Sequence, residues 1–167
     1  MTKNCNVLIA PAKEADAEFI CSIANNENLM SIFHDNPSKL QDWQYAIKEW
    51  LQDENEKDYI NIRKEDKLPV GWVGINGLKS KDRSAWLKII AIKPEYWGKN
   101  YGSKTVAMVK NILKEQGYKK IFLWTDEANL RAQLCYKKNN FNIIDKQKLK
   151  VGSKELFKDR LLMECDL

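Results

Sequence analysis

The stretch Ile89-Ile90-Ala91-Ile92-Lys93-Pro94-Glu95-Tyr96-Trp97-Gly98-Lys99-Asn100-Tyr101-Gly102-Ser103 carries the most chemistry in this sequence. An apolar, β-branched run stops at Pro94, a short glycine-containing loop follows, and a helical pattern begins near Tyr101. The first N–H groups of a helix have no acceptor within it, and the macrodipole adds roughly +0.5 charge there, so such a junction can hold an anion. Gly98 and Gly102 let backbone approach a phosphate, and Lys99 and Lys104 add positive charge. A pyrophosphate is the expected ligand. The loop is neither the G-x-G-x-x-G dinucleotide fingerprint nor a Walker A loop, which needs Gly-Lys-Ser/Thr. The competing reading is that two glycines only shape a strand-to-helix connection.

Other reactive side chains narrow the chemistry by exclusion. A single histidine, His34, rules out a multi-histidine metal site and argues against a Ser-His-Asp triad. Cys5, Cys21, Cys135 and Cys165 lie far apart with no C-x-x-C pair, which leaves idle thiols rather than a zinc knuckle or redox motif. No metal is expected.

The elements that must position the junction follow from periodicity. Strands are expected at 7–10, 59–63, 69–77, 85–92, 121–124, from Phe141, and at 160–165. Helices are expected at 14–24, from about Asn28 to the break at Pro37, at 38–52 with Ser38 as N-cap, at 101–116 and at 129–139. The acidic run Asp53 to Asp58 reads as a solvated loop. Hairpin links join the middle strands and only the helix at 101–116 makes a crossover, so an α/β fold with a mixed, largely antiparallel central sheet flanked by helices is expected.

With 167 residues, one domain covering 1–167 is the expected organisation. A formal charge of +5 and 44% hydrophobic residues describe a folded domain rather than a disordered chain. The basic surplus is mild and mixed with acids, so nucleic acid is not the expected partner. No apolar run approaches the ~20 residues of a membrane helix, and Met1 to Ala10 has no secretory pattern. A cytoplasmic protein, monomer or homodimer, is expected.

Trp97 to Gly102 resembles motif A of the GNAT superfamily of N-acetyltransferases, which reads Gln or Arg, two residues, Gly, one residue, then Gly or Ala. Trp97 replaces the usual Arg or Gln, and Asn100 replaces the first Gly. Asn is the residue that best tolerates a left-handed backbone after glycine. The stretch Asn129-Leu130-Arg131-Ala132-Gln133-Leu134-Cys135-Tyr136-Lys137-Lys138-Asn139-Asn140-Phe141 is similar to the family's Asn-x-x-Ala, three residues, Tyr-x-Lys-x-Gly-Phe signature, with Asn140 in place of Gly. The resemblance extends over nearly the whole chain and is nearest to the subgroup acetylating ribosomal-protein N-termini, polyamines and some antibiotics.

That resemblance implies acetyl-CoA as co-substrate and transfer of its acetyl group to a primary amine by direct attack on the thioester. The acceptor would be a small polyamine- or aminoglycoside-like amine or a protein N-terminus. Backbone of Ile90 and Ile92, with Ala91 between them, would pair with the pantetheine arm. The N–H groups of Gly98, Lys99, Asn100, Tyr101, Gly102 and Ser103 would hold the pyrophosphate, and Asn129 would contact the pantetheine. Tyr136 would protonate the departing thiolate, as a phenol of pKa about 10 can. Some relatives carry a base as a Glu five residues before the Asn, but here that position is Trp124. Asp126, the nearest carboxylate, and His34, with an ordinary pKa of about 6.5, are the candidates, beside a water-mediated base or an acceptor that arrives deprotonated. Their bland alternatives are a helix cap and a solvated loop histidine. A rival reading is a non-catalytic module that senses CoA or acetyl-CoA.

Overall fold

A computed structural model describes residues 6–167. Cys5 and the first four residues lie outside that range, so the readings made on them do too. Seven strands form one sheet among the described residues: β1 (Val7–Pro11), β2 (Glu56–Arg63), β3 (Pro69–Asn76), β4 (Ser84–Ile92), β5 (Lys120–Asp126), β6 (Asn142–Val151) and β7 (Leu156–Asp166). Their spatial order is β1-β2-β3-β4-β5-β7-β6. Every neighbouring pair is antiparallel except β4 and β5. The single parallel pair sits where the crossover helix demanded it.

Among the described residues five α-helices cover the sheet: α1 (Ala17–Ala24), α2 (Glu27–Phe33), α3 (Leu40–Gln52), α4 (Tyr101–Glu115) and α5 (Leu130–Lys138). On one face α4 and α5 contribute Val106, Val109, Leu113 and Tyr136 to a core with Val73, Ala85, Leu87, Ile121, Leu123 and Met163. On the other, α1, α2 and α3 bring Ile20, Ile23, Leu29 and Ile47 against Ile60, Trp72 and Ala91. No helix among the described residues is long and apolar enough to cross a membrane.

Two local expectations need correction. Lys39, not Ser38, caps α3, and the Asp42 carboxylate accepts its N–H at 3.1 Å. Asn25 holds the Ser38 backbone at both its N–H and its C=O, so the turn of chain before the helix is fixed one residue earlier. The Ser38 hydroxyl instead accepts the Trp43 indole N–H at 2.9 Å. The acidic run is only partly a loop, because β2 begins at Glu56. Strand alternation places Glu56 and Asp58 on the same face as Ile60, where Lys88 meets both carboxylates. The cation lets the acids enter a strand.

The feature that makes a site is a separation. β4 and β5 pair only at Ser84↔Lys120, Ala85↔Ile121 and Trp86↔Phe122. Just beyond, Gly74 pairs with Ile89 and Ile75 with Leu87, which leaves Lys88 as a bulged extra residue on β4. A bulge bends its strand and increases its twist. Past Trp86 the two strands cease to pair, which leaves a gap in the ladder between them.

Candidate active site

The β4 side of the gap is a backbone edge. The Lys93 N–H donates to the Val70 carbonyl at 2.9 Å, so Val70 and Lys93 form a hydrogen-bonded pair of the antiparallel ladder. Alternation then turns the N–H and C=O of Ile92 and Ile90 away from β3 and toward the gap, while Ala91 pairs with Trp72. The structure thus brings Ile90 and Ile92 to the position an added extended chain would need. One of these groups is already in use. The Trp97 indole N–H donates to the Ile92 carbonyl at 2.7 Å and folds the following turn back onto the strand.

That turn ends in the α4 N-terminus. Gly98 has φ +72°, and a Cβ built there would meet nothing within 4 Å, so its backbone faces open space. Asn100 has φ 68° and ψ 9°, the left-handed conformation, and precedes the first helical residue, Tyr101. Asn140 has φ 66° at the end of α5. The two positions where asparagine replaces the family glycine therefore keep a glycine-like backbone. A Cβ on Gly102 would lie 3.6 Å from Cys135 Sγ and 3.9 Å from Ile90 Cδ1, so the first turn of α4 packs closely on both α5 and β4. Ser103 Oγ accepts from Asn139 Nδ2 at 3.0 Å, which ties the same turn to the end of α5. The Arg131 guanidinium lies 3.5 Å over the Trp97 ring, from the first turn of α5.

On the β5 side, Asn129 caps α5, its side-chain oxygen accepting the Ala132 N–H at 3.2 Å. Tyr136, one helical face further along, is 7% exposed and packs against Phe141. Burial raises the pKa of its phenol above the ordinary value. The neighbouring Cys135 adds to that and Arg160 opposes it. Burial also pushes the Cys135 thiol up to about 11. Both groups are therefore protonated at neutral pH.

Asp126 ends β5 and is held from two directions. His34 Nε2 lies 2.5 Å from its Oδ2, and Arg160 Nε 3.0 Å from its Oδ1. His34 caps α2 in the left-handed conformation, and its carbonyl accepts the Lys154 N–H at 3.0 Å. Gly152 sits so close to His34 and Phe33 that a Cβ there would be 2.2 Å from the His34 oxygen, which makes glycine obligatory. Asn36 N–H donates to Ser153 Oγ and Ser153 N–H to Asp35 Oδ1, both at 2.7 Å. The β6–β7 turn thus clasps the His34 loop at the rim of the gap. Arg160 was not found from the sequence. It faces Asp126 across the β5–β7 register, a pairing that no local pattern announces.

With this geometry in view, the family of the chain can be stated. The chain matches the acetyltransferase (GNAT) family over residues 22–141 and belongs to that family. Its fold is similar to a crystal structure of spermidine N-acetyltransferase from Vibrio cholerae in complex with CoA and spermine, with a TM-score of 0.87 at 20% identity over 98% of this chain and 96% of that one. A domain from Methanocaldococcus jannaschii gives a TM-score of 0.79 at 23% identity over 97% of this chain and 99% of that one. Among curated proteins, MJ1062 of Methanocaldococcus jannaschii is 25% identical over 132 residues, 78% of this chain and 27% of that protein. The chain spans about a quarter of the length of that relative.

Proposed function

We propose that the protein transfers the acetyl group of acetyl-CoA to a primary amine of a small polyamine-like acceptor. The observation that carries this reading is the β4 edge of Ile90 and Ile92, turned into the gap beside β5 and ending at the α4 turn. Bound acetyl-CoA would supply an activated thioester carbonyl at the gap. Ile90 and Ile92 would hold its pantetheine arm as an added strand. An N–H of that edge would polarise the carbonyl. The turn from Gly98 to Ser103, with Lys99, would receive the pyrophosphate, and Asn129 would border the pantetheine from the other side. The open backbone at Gly98 fits that role.

Tyr136, kept protonated by burial, would give its proton to the departing thiolate. His34, whose Nε2 donates to Asp126, would take the proton lost by the amine at Nδ1, with the Asp126 carboxylate orienting the imidazole and stabilising its charge. A polyamine acceptor agrees with the acetyltransferase likeness in fold, and a protein N-terminus is the second acceptor class. The test is release of CoA thiol from acetyl-CoA over a panel of polyamines, aminoglycosides, amino acids and peptide N-termini. Amine-dependent thiol release with a polyamine supports the reading. Tight acetyl-CoA binding without release from any amine would instead identify a cofactor-sensing module.

A further inference from the structure

The bulged Lys88 lies two residues past Trp86, the last β4 residue paired with β5, on the sheet face opposite α4. Its ammonium is 4.1 Å from the Trp50 ring centroid and 5.9 Å from that of Trp72. Trp50 and Trp72 stack at 5.5 Å, and Trp43 meets both rings edge-on at 6.0 and 5.6 Å. Glu56 binds the same ammonium, and Asp58 Oδ1 stands 3.5 Å from it while accepting the Trp72 indole N–H at 2.7 Å. The Asp58 side chain is 4% exposed, and its Oδ2 has no hydrogen-bond partner among the described residues.

The surroundings are anionic beyond this pair. The last turn of α3 holds Glu49 and no basic residue, and Asp53 and Glu54 follow it. A helix C-terminus carries about −0.5 charge and is stabilised by cations, so acids there are unfavourable unless a cation is supplied. A surface depression lined by Glu49, Trp50, Gln52 and Asp53 opens beside the Trp50 ring. Two indoles braced by a third, two carboxylates and a negative helix end lie around one lysine.

We propose that this cage is the subsite for a non-reacting ammonium of a linear diamine or polyamine acceptor, and that Lys88 is a resident cation which the acceptor's ammonium replaces. The identification as an acceptor subsite rests on the acetyltransferase reading above. Exchange of one ammonium for another keeps Glu56 and Asp58 paired, so the cost of an isolated buried carboxylate is not incurred. Indole faces attract any alkylammonium. A monoamine, whose one nitrogen must sit at the reacting carbonyl, has nothing to place in the cage, so the cage selects acceptors with two or more charges.

The experiment is a titration of the full chain, without donor, by spermidine and by 1-butanol as uncharged control, read by tryptophan fluorescence and calorimetry. Lys88→Met vacates the cage and should tighten the spermidine Kd roughly 3- to 10-fold while leaving 1-butanol within about twofold. Trp50→Leu added to Lys88→Met should cancel the gain. A folded Lys88→Met variant with an unchanged spermidine Kd overturns the proposal. Should that variant fail to fold, Glu56→Gln decides: selective weakening for spermidine supports the cage, and equal or absent weakening for both ligands overturns it. These are binding measurements, so a chain that acetylates nothing would defeat the acetyltransferase reading without touching their outcome.

Discussion

His34 Nε2 and Asp126 Oδ2 are 2.5 Å apart although 92 residues separate them in the chain. An ionised carboxylate only accepts, so Nε2 donates and the other ring nitrogen, Nδ1, carries the lone pair of the neutral imidazole. Arg160, 3.0 Å from the other oxygen, holds the carboxylate in place. Two residues that compete as base candidates in the sequence are one hydrogen-bonded unit in the fold.

Removal of either partner should therefore cost about the same. Asp126→Asn and His34→Gln are each expected to lower kcat by roughly 10- to 100-fold while the acetyl-CoA Kd stays within about twofold. The double variant should be no worse than the poorer single one, since groups acting as a unit are non-additive. Steady-state kinetics with calorimetric Kd values checks this, and additive losses would show two independent residues.

Tyr136→Phe should lower kcat by roughly 100-fold with acetyl-CoA affinity nearly unchanged. Burial raises the phenol above its ordinary pKa of about 10. An acid is lost when it deprotonates, so the alkaline fall in kcat that belongs to Tyr136 should begin above pH ~10. A pH profile to pH 11 reads it. Equal kcat in the wild type and the Phe variant would dismiss the phenol as the acid.

Asn100 offers a backbone test of the anion turn. Asn100→Gly keeps the left-handed conformation without a Cβ and should hold the CoA Kd within about twofold. Asn100→Val forces a β-branched residue to positive φ, costing about 1–2 kcal/mol, and should weaken CoA binding about tenfold. Urea unfolding and calorimetry with CoA measure the two effects. Undiminished CoA binding by a folded Val variant would place the pyrophosphate elsewhere.

Asp58 makes a stability prediction with a definite sign. Burial is the main cause that raises its pKa from 3.8 to about 6, against the opposing pull of Lys88 and the Trp72 N–H, with Glu56 adding to the rise. The folded state then binds the proton more tightly than the unfolded chain. Its contribution to stability is fully present below about pH 4 and is lost as pH rises through about 6. Asp58→Asn should remove that slope. Urea midpoints at pH 4.5, 5.5 and 7 compare the two proteins, and parallel pH dependences would contradict the assignment.

Legibility from the sequence followed the range of the interaction. The parallel β4–β5 pair and the crossover helix came from periodicity and loop length, and the α4 turn came from glycine spacing. Asn100 and Asn140 could be read as glycine substitutes because left-handed tolerance is a property of the residue itself. The Ser38 cap failed because Asn25, thirteen positions away, claims its backbone. The acidic loop failed at Glu56 because Lys88 reaches it from another strand.

By itself, then, the sequence determined the α/β class, the strand and helix order, the glycine-containing turn before α4 and the membership motifs around Gly98 to Gly102 and Asn129 to Tyr136. These rest on hydrogen bonds and side-chain periods spanning a few residues. Only the tertiary structure decided that His34 meets Asp126, that Arg160 faces it, that Trp97 returns to Ile92 and that Trp50 and Trp72 flank Lys88. Such contacts depend on strand register and on how helices settle against the sheet, which are set by burial over the whole core.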